Sequence, residues 1–345
     1  MRLFGDVLGE YSVLSLVGMA KNAGKTTALN YLIEEASDED VIPGITSTGR
    51  DGEGTDLVTG TDKPKVYVYE DTIVTIPVNL FEASDAGLEI ISRTDYHSTF
   101  GSILMCRVLD QGYVQVAGPT STSEQRKLSK EILDLGADIV LIDGAIDRRS
   151  IASPFASDAI ILSTGAVISR DLSVVVSDTM HVVDLYSLPE FGKDELDEKL
   201  FRKELKKKGR KNNITIVRNG KFEKQNCRVG LLAGSKLDKG IDEETQFMYL
   251  PGALTKSTLD YIKPEKLKYV TFVVDDPTKI FIDRMSYRKL RKKGLKIKVL
   301  RSIKVAAITI NPYSPEGYSF GNDTLLGAMR EAAGDLPVLD VKKPD

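Results

Sequence analysis

The sequence predicts an α/β protein, with a mostly parallel, doubly wound sheet and a second, smaller α/β domain. Three observations lead there. Strand-like apolar runs alternate with helical patterns through the first half of the chain. Several runs, such as 139–142 and 159–162, are short and continuously apolar, as suits strands buried on both faces of a parallel sheet. The first strand also runs directly into a glycine turn and a helix, which opens a right-handed strand–helix–strand unit.

Residues 12–17 form the first predicted strand. Residues 25–35 place Leu29, Leu32 and Ile33 at helical spacing, and 41–47 return as an extended run. Residues 66–69 and 72–76 read as a hairpin with Glu70 and Asp71 at its turn. A strand at 113–117 ends in Gly118-Pro119. The helix at 121–135 opens on a capping box, Ser121 with Glu124. Its Leu128, Ile132 and Leu135 share a face, and Gly136 can close its end. The runs 139–142 and 159–162 deliver Asp143 and Ser163 just past their ends.

Composition shifts after Pro189. Residues 192–213 are dense in charge and poor in apolar side chains, which predicts an exposed helix or linker. The expected organisation is a nucleotide-binding domain over 1–190, a charged segment over 191–213 and a C-terminal α/β domain over 214–345. The last part reads as a strand at 269–274, a basic helix at 280–293, one or two strands at 297–310 broken near Lys304, a helix at 323–333 and a strand at 337–341. It forms its own sheet or, in part, extends the first.

At 345 residues the chain is long enough for a large core without staples. Two cysteines, Cys106 and Cys227, are too few for a disulfide framework and fit a reducing compartment. No run approaches the roughly 18–20 apolar residues that span a bilayer. Asp6 and Glu10 interrupt the region where a signal peptide needs an apolar core. Cytoplasmic placement is expected. The net charge of -3 gives no general attraction to nucleic acid or membrane.

The chemistry centres on Gly-Met-Ala-Lys-Asn-Ala-Gly-Lys-Thr-Thr, residues 18–27. The usual phosphate-binding loop places its first glycine five residues before the second, at the position of Met19; here Gly18 comes one residue early. The core Asn22-Ala23-Gly24-Lys25-Thr26-Thr27 is intact and lies between a strand and a helix. In such a loop, backbone amides and the helix dipole receive the phosphates. Gly18, Asn22, Ala23, Gly24, Lys25, Thr26 and Thr27 are therefore the candidate nucleotide contacts. Lys25 would neutralise the terminal phosphates, and Thr26 would ligate magnesium. Lys21, four residues before Lys25, contacts either phosphate or only solvent.

Asp143 ends a buried apolar run, the form in which P-loop proteins deliver a carboxylate beside magnesium. The loop Thr48-Gly-Arg-Asp51-Gly-Glu53-Gly54 follows the second strand. Asp51 is a candidate magnesium or water ligand, and Glu53 a candidate for orienting the attacking water. The turns at Gly118–Thr120 and Thr164-Gly165 could line the site but read first as structural. His97 and His181 show no metal-ligand spacing. The basic stretches 202–211 and 284–304 read as solvated helix faces before they read as nucleic-acid sites. A guanine-recognition Asn-Lys-x-Asp motif is absent from the sequence, which favours ATP. Asn311-Pro312 could contact the base if its strand joins the first sheet.

Longer stretches carry a resemblance. A loop with five residues between its two glycines, Gly18 and Gly24, is similar to that of dethiobiotin-synthetase-like P-loop proteins, in the branch of the partition ATPases. VGMAKNAGKTT, GITSTGRDGE, YVQVAGP, IVLIDGAIDRRSIASP, AIILSTGAVISRD and AAITINPYSPEGYSF together resemble the P-loop subunit of the reactivase for lysine 5,6-aminomutase. The resemblance is densest in 12–175 and 305–320. It implies a chaperone-like ATPase using Mg-ATP, in an oligomer with a MutS-like subunit. Its client would be a cobalamin-dependent lysine aminomutase, from which it releases damaged cofactor. Asp147, Arg148, Arg149 and Ser150 would then couple hydrolysis to the partner surface. Two other functions compete: a small-molecule ligase or kinase of the dethiobiotin synthetase type, and a nucleic-acid-associated ATPase.

Overall fold

The computed structural model describes residues 3–48, 66–144, 156–192, 196–207, 214–219, 221–224 and 237–341. A π-helical turn, Leu3–Leu8, precedes β1 (Val13–Gly18). Helix α1 (Lys25–Asp38) buries Ala28, Leu29, Leu32, Ile33 and Ala36, a stripe at helical spacing. Then come β2 (Pro43–Ser47), β3 (Val66–Val68), β4 (Ile73–Pro77), β5 (Gly87–Ser98), β6 (Gly101–Asp110) and β7 (Gly112–Val114). Helix α2 (Thr122–Asp134), β8 (Ile139–Asp143), β9 (Ala159–Gly165) and α3 (Leu172–Tyr186) follow.

Next in the chain are α4 (Leu196–Lys207), β10 (Thr215–Arg218), β11 (Lys221–Lys224), β12 (Thr245–Tyr249), β13 (Leu254–Thr255) and α5 (Lys256–Asp260). After them lie β14 (Thr271–Val274), β15 (Ile280–Phe281), α6 (Arg284–Lys292) and β16 (Lys296–Val299). The chain closes with β17 (Val305–Asn311), α7 (Asn322–Ala333) and β18 (Val338–Leu339).

These elements make two compact units, Met1–Met180 with Lys304–Asp345, and His181–Ile303. In unit 1, nine strands form one sheet in the order β18-β17-β9-β1-β8-β2-β4-β6-β5. Every pairing from β18 to β4 is parallel, and β6 then runs antiparallel to both β4 and β5. The continuous apolar runs have the expected cause, burial on both faces. In β8, Leu141 joins the core that holds α1, while Val140 and Ile142 join the core that holds Leu128 and Ile132 of α2. The fold is α/β, with a large mixed sheet of mostly parallel strands.

In unit 2, five strands lie in the order β11-β10-β12-β14-β16. β12, β14 and β16 are parallel, and β10 is antiparallel to both its neighbours. A core of Ile216, Met248, Phe272, Val274, Ile297 and Val299 fills it.

Several elements depart from the sequence reading. β3 and β4 do not form a hairpin: β3 pairs β7, and β4 enters the large sheet between β2 and β6. The capping box does not form at α2; the Ser121 hydroxyl meets the Ser123 hydroxyl at 2.8 Å instead. The charged segment contains α4, whose Phe201 is buried against Phe191. The C-terminal strands β17 and β18 belong to the first sheet, so unit 2 is an insertion between β9 and β17 and not the end of the chain. The long β5–β6 hairpin and α3 were not anticipated. Among the described residues, no helix is long and apolar enough to cross a membrane.

Candidate functional site

β1 lies between β8 and β9, so the chain order reverses across it. Ligands bind open α/β sheets at such switch points, outside the carboxyl ends of the strands. Here Leu16 of β1 stands beside Asp143 of β8, and Gly18 beside Ser163 of β9.

The turn leaving β1 is fastened on both sides. The Met19 amide donates to the Ser163 carbonyl at 2.9 Å, and the Ala23 amide to the Ala20 carbonyl at 3.3 Å. Asn22 and Gly24 are both left-handed, at φ 64° and 91°. Asparagine tolerates that conformation and glycine adopts it freely. Gly24 is also the N-cap of α1, and no side chain caps the helix there. The amides of the first turn therefore lack intrahelical acceptors, and the positive end of the helix dipole faces the loop. Gly18 and Ala23 are buried, Lys25 and Thr26 half-buried, and Asn22 and Thr27 exposed.

Lys25 is the first residue of α1, and its ammonium donates directly to Asp143 Oδ1 at the end of β8. Their side chains are only 13% and 20% exposed, so solvent screens this pair less than a surface pair. The backbone of Asp143 is held from both sides. Its carbonyl accepts from the Ser47 hydroxyl and the Thr48 amide, each at 3.1 Å, and the next amide, Gly144, donates to Leu16 O at 3.2 Å. Thr48 itself is buried, and its hydroxyl has no partner among the described residues. A buried hydroxyl in that state is a common mark of a functional or solvent-binding position.

A third strand end closes the turn. Asn311, last in β17, donates its side-chain amide to Asn22 O at 3.0 Å. A Cβ on Gly24 would stand 3.1 Å from Asn311 Cβ, and one on Gly165 would stand 2.1 Å from Asn311 O. The segment after β17 folds back through a bridge between Tyr313 and Ser319. It is pinned by the Tyr318 hydroxyl donating to Ala166 O and by Arg170, which lies 4.8 Å over the Tyr318 ring and 3.5 Å from Glu316. Sequence reasoning missed Arg170 and Tyr318, because their partners are far apart in the chain.

The structure thus brings Gly18, Asn22, Ala23, Gly24, Lys25, Thr26, Thr27 and Asp143 to one place. Asp51, Glu53, Asp147, Arg148, Arg149 and Ser150 lie outside the described residues. The oxygen donors Thr26 and Asp143 are of the hard type that magnesium takes. No His, Cys, Asp and Glu group among the described residues is arranged to hold a metal. The His181 ring meets the Ile282 carbonyl at 3.1 Å and packs on Tyr287. Cys106 is buried, and burial pushes its thiol up to about 11, the opposite of an activated nucleophile. No protein-family model, curated protein or solved structure matches the chain.

Proposed function

We propose that the chain is a P-loop ATPase that binds Mg-ATP in the 18–27 turn. We propose further that it serves as the motor of a reactivating chaperone for a cobalamin-dependent lysine aminomutase. One observation carries the nucleotide reading: Lys25 and Asp143, far apart in sequence, converge at the uncapped start of α1, at the switch point of the sheet. The reactivase reading rests on the sequence resemblance, and so do the MutS-like partner and the oligomer; the cytoplasmic setting rests on the two cysteines and on Asp6 and Glu10 near the start of the sequence.

On this reading the free amides of the first turn of α1 hold the phosphate oxygens. Lys25 offsets the charge of the terminal phosphates. Thr26 and Asp143 would hold magnesium, which supplies charge neutralisation at the phosphates. Water adds to the γ-phosphorus, the bond to the bridging oxygen breaks, ADP leaves and one proton is released with phosphate. Orientation of that water falls to Asp51 or Glu53 from the sequence. Asn311, fixed against the turn, and the segment up to Phe320 would flank the base.

The test is phosphate release by the purified chain with Mg-ATP, alone and with the aminomutase and second subunit. Asp143→Asn keeps the side-chain shape and should lower turnover at least ~10-fold. Unchanged turnover would remove the ATPase reading. Stimulation by a small carboxylate, but not by the aminomutase, would replace the chaperone with a ligase or kinase.

A further inference from the structure

Charge is divided unequally between the units. Residues 181–303 contain 29 Lys and Arg against 17 Asp and Glu, a formal +12; the rest of the chain contains 18 against 33, a formal -15. Part of the excess in unit 2 lies on α6 and the turn that follows it, with six Lys and Arg and no acid in 284–293. Tyr287 and Leu290 pack that helix on the unit 2 core. The outward residues Arg288, Lys289, Lys292 and Lys293 are exposed and have no acidic partner among the described residues. A cation or two in a last helical turn complements the dipole. Four exposed ones across two turns exceed that need and repel one another.

Apolar surface adjoins them. Phe281, Met285 and Tyr261 are about half exposed, three of the large hydrophobics that the chain leaves outside. Met285 lies one turn from Arg288 and Lys289 on α6, and Phe281 immediately precedes the helix. Tyr261 ends α5, and the strand before α5 pairs with Phe281 through Thr255.

From this juxtaposition we infer that α6 and its flanks form a docking surface for single-stranded nucleic acid. Cations on the helix would track phosphates, and Phe281 and Tyr261 would stack bases. Protein interfaces are depleted in lysine at their core and need a shaped apolar patch. This face is rich in lysine, and its aromatics are separate side chains at a charged border. That combination matches single-strand recognition, in which a basic track and stacking rings suffice. The inference is independent of the ATPase reading.

The experiment is fluorescence anisotropy of the full chain with a labelled single-stranded 20-mer and the matching duplex, from 50 to 300 mM KCl. Binding of the single strand should fall with a log–log salt slope of about -3, the value for four to five phosphates. Arg288→Gln, Lys289→Gln and Lys292→Gln combined should weaken it at least ~10-fold and flatten the slope by about 2. Phe281→Ala should weaken single-strand binding more than duplex binding. Thermal melts verify folding of each variant. No binding at 50 mM KCl, unchanged affinity in the triple variant, or equal competition by polyglutamate would each overturn the inference. Tighter binding to duplex would overturn its single-strand form.

Discussion

At the carboxyl ends of its strands, unit 1 holds an ion pair between two distant elements, and unit 2 holds carboxylates bonded to neutral hydroxyl and amide groups. Both units hold parallel strands with helices between them, yet only in the first sheet do the parallel strands reverse their order, at β1. In unit 2 the order β10-β12-β14-β16 runs one way, which leaves no switch point. There the acidic residues past β14 are used locally. Asp275 accepts from the Tyr249 hydroxyl at 3.1 Å, and Asp276 accepts the Thr278 amide at 2.9 Å together with its hydroxyl. Asp143 instead reaches across to Lys25, from another element, beside a helix start that nothing caps. The same class of fold therefore offers a candidate site where the order of parallel strands reverses.

The largest effect is expected at Gly165, where a Cβ would collide with the Asn311 carbonyl. Gly165→Ala should cost about 3 kcal/mol or more in urea unfolding; a loss under about 1 kcal/mol would show that β9 and β17 give way easily. Asp276→Ala leaves buried Thr278 groups without their acceptor and should cost about 1–3 kcal/mol. It should leave nucleotide affinity unchanged, and a fall in affinity would mean that unit 2's strand ends are not merely structural.

A smaller effect belongs to Asp283, the N-cap of α6, which accepts the Ser286 amide at 2.9 Å. Hydrogen bonds from the Ser286 side chain and amide hold its carboxyl below the usual range. A depressed folded-state value means the cap stabilises fully above the unfolded-state pKa, near 4, and is lost as pH falls through the folded value. Asp283→Ala should therefore cost about 0.5–1 kcal/mol at pH 7 and little at pH 2. A cost that grows as pH falls would contradict this assignment.

The glycine turn, α1 and the β8 carboxylate were legible because each is local: a period, a short spacing and a strand end suffice. Pairing was not. The run at 66–76 has turn residues at the right place for a hairpin, but β3 found β7 and β4 found β2 and β6, choices fixed by distant partners. The insertion stayed open for the same reason, since 214–345 read either as a sheet of its own or, in part, as an extension of the first. Nothing in the sequence of β17 says that it lies beside β9, yet that pairing brings Asn311 to the turn. The cations of α6 were visible as a run, but not that Arg288, Lys289, Lys292 and Lys293 lack acidic partners among the described residues, nor the aromatics beside them.

The most direct test of the central claim is calorimetric binding of magnesium-ATPγS to the purified chain, beside Lys25→Ala. Binding is expected for the wild type, with a loss of at least tenfold in the variant, about 1.4 kcal/mol or more, while the variant still melts cooperatively. Equal affinities, or no binding by the wild type at millimolar nucleotide, would contradict the claim.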